Sequence, residues 1–397
     1  MHKVSDELLV LDEFTGIFEP IGNRSLRYLA QKLPDAMANT QTDLARACIA
    51  YMKYGIFERG MAQSDGEFET RLLTNSFHEY ASCYWGHHAR EAGLKAQTAT
   101  QIMSDIQPNW EYRTLKEEII RFLGGGPCFL AALQTLNSSG PYYAKGLVLK
   151  NARLDKDRPV FPEYSQRSPE GITGMHVAAW FGLADIIPGL VEAGLHPDAE
   201  SYCGRTPLSV AASQGHKKAV SLLVTRYRAD PKSKDDRGFT PLQYAACKGY
   251  TRVVQYLIGI GADINSYSDL GVSALSCAAM HAHEEVVRVL CDRGANVNSA
   301  DSLCYQTPLI FAVISRDEFV VRMILQKGAL VDVEDESGRT ALGCAAAQGS
   351  ETIAKILYQA IVGDPNVLSR HNSLYGRKPL SEAGRVLMAG IVGQHRR

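Results

Sequence analysis

The stretch GFTPLQYAA (residues 238–246) is one of six similar copies that lie between residues 171 and 346 of this 397-residue chain. The other five copies begin at Gly171, Gly204, Gly271, Tyr305 and Gly338. The third residue of every copy is Thr or Ser, and successive copies are spaced by 33 or 34 residues. A fixed period of this length indicates an array in which each copy is one small structural unit.

Each residue type within a copy has a physical role in a helix–turn–helix unit. The hydroxyl of Thr206 is placed to cap a first helix, an interaction worth about 1 kcal/mol. Pro207 follows at the first helical position, where its missing N–H has no cost. Gly215 is placed to end that helix in the left-handed conformation. A second helix is then predicted from apolar residues at helical spacing, such as Val220 and Leu223.

Period, caps and tails such as GADIN (residues 261–265) together resemble the ankyrin repeat over about residues 168–397. The resemblance implies an all-α fold class, in which helix–turn–helix repeats with β-hairpin tips stack into a solenoid. It implies six copies and a degenerate C-terminal cap that begins at Gly376, because terminal repeats are usually atypical.

Two copies depart from the pattern. The first has Gly174 and Met175 in place of Pro and Leu, which predicts that it caps the array or packs on the preceding segment. The fifth lacks glycine at Tyr305 and has Arg316-Asp317 where Gly-His is expected, which predicts distorted turns.

The resemblance also implies a binding role, because such arrays contact partners through hairpin tips and exposed first-helix positions on a concave face. Aromatic, Met and Arg side chains carry much of the energy of protein interfaces. The predicted partner-binding residues are Trp180, Phe181, Tyr202, Arg205, Gln214, Arg237, Phe239, Lys248, Met280, His281 and Tyr305. For Trp180 and Phe181 the alternative is packing against the N-terminal half. For Phe239, Met280 and Tyr305 it is packing between repeats.

Residues 1–140 contain no repeat, but their apolar residues recur at helical spacing and predict a helical domain, ordered mainly from about residue 42. The three predicted apolar faces consist of Leu44, Ala47, Cys48, Tyr51 and Met52; of Phe77, Tyr80, Ala81, Tyr84 and His88; and of Leu115, Ile119, Phe122 and Leu123. Capping boxes are predicted at Ser64 and Ser76. No alternating strand pattern is found, and residues 141–167 are predicted to be a linker.

Residues 43–93, in particular Tyr80-Ala81 and WGHHAR (residues 85–90), resemble the segment that precedes the repeats in fungal NACHT–ankyrin proteins. In that family the segment links a P-loop ATPase to the array in nucleotide-gated immune or self-recognition switches. The likeness implies a NACHT-type ATPase as a partner. This chain contains no GxxxxGK[ST] sequence, so nucleotide-dependent switching does not carry over to it.

Composition narrows the functional classes. With 42 basic and 43 acidic side chains, the chain has no global positive field, and no nucleic-acid partner is expected. The nine cysteines form no CxxC pair, so neither a zinc ribbon nor a thioredoxin-type site is supported. Their odd number and scattered positions predict a reducing compartment. No secretory signal and no apolar run of about 20 residues are found, so we expect no membrane association and a cytoplasmic location, with a nuclear one left open.

Candidate metal ligands lie close together at His78, Cys83, His87 and His88, and similarly at His281, His283 and Glu284, without the remote partners that a zinc site needs. Structural packing is therefore the favoured interpretation of these residues. No GxSxG or HExxH sequence is present, and we predict no catalytic residue, no metal and no cofactor.

Together, these features predict a non-catalytic scaffold or adaptor that binds a protein or peptide on the concave face of the array. The alternative is the regulatory C-terminal portion of a NACHT-type signalling ATPase that lacks the ATPase module.

Overall fold

A computed structural model describes residues 9–12, 17–20, 37–53, 57–75, 77–102, 110–138, 171–363 and 382–395. Its contacts divide the chain into two compact units, residues 1–211 and 212–397. The predicted linker at 141–167, the capping box at Ser76 and the start of the degenerate copy at Gly376 lie outside the described residues. The predicted domain limits therefore stay a prediction.

Helices dominate the described residues, which confirms the predicted helical fold class with repeats in the C-terminal part. The first unit contains β1 (Leu9–Asp12), β2 (Ile17–Pro20), α1 (Met37–Met52), α2 (Asp65–Thr74), α3 (Phe77–Ile102), α4 (Trp110–Leu123), α5 (Pro127–Ser138), α6 (Gly174–Phe181) and α7 (Ile187–Glu192). Helix α8 (Pro207–Ser213) spans the limit between the units. The second unit contains α9 (Lys217–Tyr227), α10 (Pro241–Cys247), α11 (Thr251–Gly259), α12 (Ala274–Met280), α13 (Glu284–Asp292), α14 (Pro308–Ser315), α15 (Glu318–Gln326), α16 (Ala341–Ala347), α17 (Glu351–Gly363) and α18 (Glu382–His395).

A short β-hairpin near the N-terminus was not predicted. Strands β1 and β2 pair antiparallel, with Leu9 opposite Pro20 and Asp12 opposite Ile17. Each strand is four residues long, LVLD and IFEP, and so short a segment gives almost no alternation to detect. The expectation that the N-terminal half contains no strand is therefore wrong for these eight residues.

The core of the first unit lies among α1, α3, α4 and α5. The predicted face of α4 is confirmed, since its four apolar residues are all buried. The ring of Trp85 in α3 meets that of Phe122 edge-on, with centroids 5.7 Å apart. Helix α4 ends at Leu123, where Gly125 and Gly126 adopt positive φ, and α5 starts directly afterwards.

The other two predicted faces are confirmed in part: Leu44, Cys48 and Met52 of α1 and Ala81 of α3 are buried, while the side chains of Phe77 and Tyr80 lie outside the described residues. In α1, Ala47 is exposed while Ile49 is buried, and in α3, Tyr84 is exposed while Trp85 is buried. Helix α1 contacts α3, α4 and α5, so its buried stripe is wider than a single neighbour requires. The spacing rule alone does not decide which of two adjacent residues faces inward.

The first repeat packs directly on the helical part of the first unit. Helix α6 contacts α3 and α4, and α7 contacts α4. A Cβ atom at Gly174 would lie 2.0 Å from the carbonyl oxygen of Leu123, so only glycine permits this approach. The departure from the repeat pattern at Gly174 thus reflects packing on the preceding segment, as predicted.

The later repeats follow the predicted plan. Thr240, Ser273, Thr307 and Thr340 cap the first helices, and the side-chain oxygen of each accepts a hydrogen bond from the N–H three residues further on. First helices α10, α12, α14 and α16 contact one another in order, and so do second helices α11, α13, α15 and α17. Helix α18 packs on α16 and α17.

Successive hairpin tips in the second unit are joined by one backbone hydrogen bond per step. The donors and acceptors are Asp269 N–H to Arg237 O at 3.0 Å, Ser302 N–H to Leu270 O at 2.8 Å, and Glu336 N–H to Cys304 O at 2.8 Å. The tips therefore form a continuous hydrogen-bonded edge from the third copy to the sixth.

The left-handed residues of the fifth copy are kept, but its tip is distorted as predicted, because the Asp301 N–H donates to the carbonyl of Gln306, five residues on, where the Asp235 N–H donates to that of Phe239, four residues on. Tyr305 and Arg316 adopt φ values of +53° and +61°, where Gly238 and Gly249 have +72° and +75°. Left-handed backbone costs a residue with a Cβ atom about 1–2 kcal/mol. At these two positions the copy therefore keeps the backbone conformation of the other copies at the expense of local strain.

Candidate functional site

The tip of the third copy is organised by the buried carboxylate of Asp235. Its Oδ1 accepts hydrogen bonds from the backbone N–H of Arg237 (3.0 Å) and of Phe239 (2.8 Å), and its Oδ2 accepts one from the hydroxyl of Tyr244. The guanidinium of Arg237 lies 5.6 Å from the ring centroid of Phe239, and its Nη2 donates to the Tyr244 hydroxyl at 3.2 Å. The backbone and the side chains of this tip are thus held together around one carboxylate.

Helix α10, which follows this tip, is fixed at its start. The backbone N–H of Thr240 donates to Oε1 of Gln243 at 2.7 Å, and the Thr240 hydroxyl accepts from the Gln243 N–H at 3.4 Å, which completes a capping box. Pro241 occupies the first turn. Nε2 of Gln243 also donates to the carbonyl of Val272 in the next copy at 2.6 Å. These bonds fix the rotation of α10 and leave Lys248, at its end, exposed.

Five of the predicted partner-binding residues come together around α10 and α12, which contact each other. These residues, with Tyr244 added, form what we call the α10–α12 surface: Arg237, Phe239, Tyr244, Lys248, Met280 and His281. Lys248 and His281 follow the two helices at equivalent positions, and the side chain of Met280 is 38% exposed. Exposed Met, Arg and aromatic side chains on a rigid frame are typical of protein interfaces.

The electrostatics of this surface favour a neutral His281. Burial lowers the pKa of its imidazole, and the nearby His283 and the positive charge of Lys248 lower it further. The rings of His281 and His283 have centroids 6.0 Å apart. His283 itself has a structural role, because its Nε2 donates to the carbonyl of Cys247 at 3.0 Å.

Three predicted partner-binding residues are buried in the first unit and cannot contact a partner in this conformation. Trp180, Phe181 and Arg205 are at most 5% exposed. The ring centroid of Phe181 lies 5.3 Å from that of Trp85 and 5.1 Å from that of His87. For Phe181 the alternative interpretation, packing against the N-terminal half, therefore applies.

The remaining predicted residues lie elsewhere in the repeats. Tyr202 is 73% exposed in the first unit. Gln214 is half-buried and follows α8 as Lys248 follows α10. Tyr305 is exposed at the tip of the fifth copy, beside the still more exposed Leu303, which the sequence analysis missed because that tip contains one extra residue. These three predicted residues are not part of the α10–α12 surface.

Two of the histidines considered as metal ligands, His78 and His88, interact with other side chains of the first unit. His78 is fully buried and stacks on Phe57 with ring centroids 4.0 Å apart, and burial lowers its pKa to about 3. Nδ1 of His88 lies 2.7 Å from Oε1 of Gln41, and burial lowers the pKa of His88 to about 4. Within the described ranges, no group of three or more His, Cys, Asp or Glu side chains is arranged to hold a metal ion.

Among the described residues, no single helix has the length and hydropathy needed to cross a membrane. One pair of segments, Tyr112–Leu123 and Pro127–Leu136, meets the criteria of length and composition jointly but is bent by 87°. Both segments contribute to the buried core of the first unit.

Comparison with known proteins agrees with this repeat geometry. A family model described as ankyrin repeats, in three copies, matches residues 175–268, 227–301 and 275–369. Residues 175–369 are therefore an ankyrin-repeat region, and such repeats imply a role in protein–protein interaction.

Curated relatives match parts of this chain. NF-kappa-B inhibitor alpha of Gallus gallus is 38% identical over 23% of this chain and 31% of its own length. A putative palmitoyltransferase, ZDHHC13 of Danio rerio, is 30% identical over 46% of this chain and 29% of its own. Rabankyrin-5 of Mus musculus is 32% identical over 20% of this chain and 7% of its own. The chain thus spans less than a third of the length of each of these three relatives.

Proposed function

We propose that this protein is a non-catalytic scaffold or adaptor that binds a partner protein through the α10–α12 surface, on the concave side of the repeats. The observation that carries the proposal is the grouping of exposed Arg237, Lys248, Met280 and His281, with half-buried Phe239, on two adjacent first helices and their tip. A protein partner agrees with the name of one relative, an inhibitor of NF-kappa-B.

The physical basis is a rigid frame with adaptable side chains. A capping box on α10, a side-chain cap on α12, inter-repeat hydrogen bonds and buried alanines hold the backbone of the two helices, so little backbone entropy is lost when a partner binds. Met280 offers a flexible apolar contact, and Arg237 and Lys248 offer charged hydrogen-bond donors. A cytoplasmic location and the absence of a cofactor are part of this proposal.

Site-specific cross-linking tests the proposed surface. A photo-crosslinking amino acid in place of Met280 should capture the partner in source-cell lysate, whereas the same group in place of Phe319, exposed on second helix α15, should not. The variant with alanine at Lys248, Met280 and His281 should lose the partner while its helical content and melting temperature stay unchanged. Unchanged binding by that folded variant would show that the surface is assigned wrongly.

A second candidate function is regulation of a NACHT-type ATPase, favoured by the likeness of residues 43–93 to the segment before the repeats in that family. Trp85 and Ala89 of the likeness are buried in the first unit, so they maintain the fold, and exposed residues such as Tyr84 would make the ATPase contact. An in-frame P-loop in the genomic sequence before Met1, or co-purification of a P-loop ATPase that depends on Tyr84, supports this candidate. If neither result is obtained, the free-standing adaptor remains the proposed function.

A further inference from the structure

The near-zero net charge of the chain conceals two oppositely charged parts of the second unit. Residues 212–261 contain nine Lys or Arg and three Asp or Glu, a net charge of +6. Residues 262–363 contain seven Lys or Arg and thirteen Asp or Glu, a net charge of −6. Because the two parts adjoin in one compact unit, the surface potential must change sign along the array.

The positive charge of the first part is presented to solvent. All nine of its basic side chains are exposed, while Asp235, one of its three acids, is buried. In the acidic part, four of the seven basic side chains form ion pairs with carboxylates of the same part. Each of those pairs cancels one positive and one negative charge, so the net charge of −6 in the acidic part does not change.

Two of the exposed cations belong to the α10–α12 surface. Arg237 precedes α10 and Lys248 follows it, and seven helical residues rise about 10 Å. Both positive charges act on the thiol of Cys247, the last residue of α10. A hydrogen bond with Cys277 lowers the pKa of the Cys247 thiol against the effect of burial, and Lys248 and Arg237 lower it further. Phe239 and Tyr244 lie between the two cations along the chain, and their ring centroids are 5.6 Å apart.

We propose that the partner segment bound by the α10–α12 surface is an extended acidic peptide with an apolar residue between its carboxylates. This inference rests on the binding function proposed above. An extended chain advances about 3.3 Å per residue, so Asp or Glu side chains about three residues apart reach Arg237 and Lys248 together. The apolar residue between them packs against Phe239 and Met280.

A nucleic acid would be attracted by the same cations, but the rest of the surface favours a peptide. A phosphate backbone that continued along the array would meet the acidic residues 262–363, where like charges repel. A short peptide segment ends before it reaches them. Met280, at the end of α12, offers an apolar contact and no charge to a phosphate.

Fluorescence anisotropy with the full chain tests the inference. The probe is a labelled peptide of about a dozen residues, with Glu at every third position and one Phe between two of them. A matched peptide has Gln in place of each Glu, and a single-stranded oligothymidylate of similar length is the third probe. We expect the Glu peptide to bind about tenfold or more tightly than the Gln peptide, and its binding to weaken as salt is raised because exposed charges are screened.

A pair of charge-reversed variants locates the effect. Arg237→Glu with Lys248→Glu should weaken binding of the Glu peptide about tenfold or more. Arg293→Glu with Arg322→Glu changes the net charge equally in the acidic part, where both residues are exposed, and should leave binding nearly unchanged. Equal affinity for the Glu and Gln peptides, tighter binding of the oligothymidylate, or equal losses in the two variants would each overturn the inference.

These outcomes are distinct from failure of the proposed function. If cross-linking through position 280 captures a protein whose contact segment is neutral or basic, the binding function stands and the acidic segment is wrong. If nothing is captured and the alanine variant behaves like the unmodified protein, the binding function itself is wrong.

Discussion

Replacement of Phe181 by alanine should destabilise the first unit by about 3–5 kcal/mol, the usual cost of deleting a buried phenylalanine side chain. Phe181 has no exposed surface, and its ring lies against Trp85 and His87. A Cβ atom at Gly86 would lie 2.2 Å from this ring, so the ring rests directly on the backbone of α3. Two helices would have to move to fill the space, and a cavity should therefore remain.

The chain has a convenient probe for this substitution. All three of its tryptophans, Trp85, Trp110 and Trp180, lie in residues 1–211, so tryptophan fluorescence reports unfolding of the first unit alone. With an m-value of about 2–3 kcal/mol per molar urea, the expected loss lowers the unfolding midpoint by roughly 1–2.5 M. Far-UV circular dichroism, which sees helices in both units, should show a second transition that the substitution leaves in place.

Two further variants act as controls. Phe181→Leu keeps much of the apolar volume and should lose clearly less stability. Phe319→Ala removes a partly exposed ring from the second unit and should not change the fluorescence midpoint. An unchanged midpoint for Phe181→Ala would refute the packing argument and restore Phe181 as a candidate for partner contact.

Three more outcomes are expected. Tyr305→Gly should stabilise the second unit by about 1 kcal/mol, because glycine accepts positive φ without strain; a lower midpoint in circular dichroism would mean that the ring makes contacts that outweigh the strain. Thr340→Ala should cost about 1 kcal/mol by that same measurement, since a helix cap is lost, whereas Thr340→Ser should cost little. Burial lowers the pKa of His78 to about 3 and that of His176 to about 4 in the folded state, against 6.5 when unfolded. The unfolded chain therefore binds more protons than the folded chain below pH 6.5. The free energy of unfolding should fall by about 2 kcal/mol for each of the two groups between pH 7 and pH 5. Equal fluorescence midpoints at the two pH values would contradict this.

The repeats could be predicted closely because their rules are local and recur. Thr or Ser at the cap, Pro after it and glycine in the turns each act within a few residues, and six copies average out single exceptions. The fifth copy shows the limit of such rules. Tyr305 and Arg316 do not favour the left-handed conformation, yet both adopt it in the folded copy.

The candidate site was predictable in part for the same reason. Equivalent positions in successive copies place Lys248 and His281 in one row, so these residues could be grouped from sequence. Tyr244 lies in the middle of a first helix, at a position that the repeat pattern predicts to face inward. Its contact with Arg237 depends on the geometry of the tip. Burial of Trp180 and Phe181 depends on helices almost 100 residues earlier in the chain, and no local pattern records that contact.

The row of backbone hydrogen bonds between successive hairpin tips makes the copies interchangeable. In each step a backbone carbonyl of one tip accepts a hydrogen bond from a backbone N–H of the next tip, whatever side chains the two tips carry. Duplication or deletion of one whole copy of 33 or 34 residues would therefore still place an N–H donor opposite a carbonyl acceptor at the new junction. The side chains on the two sides of the junction would be new neighbours. Recombination in whole copies could thus rearrange the recognition surface of this protein while its scaffold continued to fold.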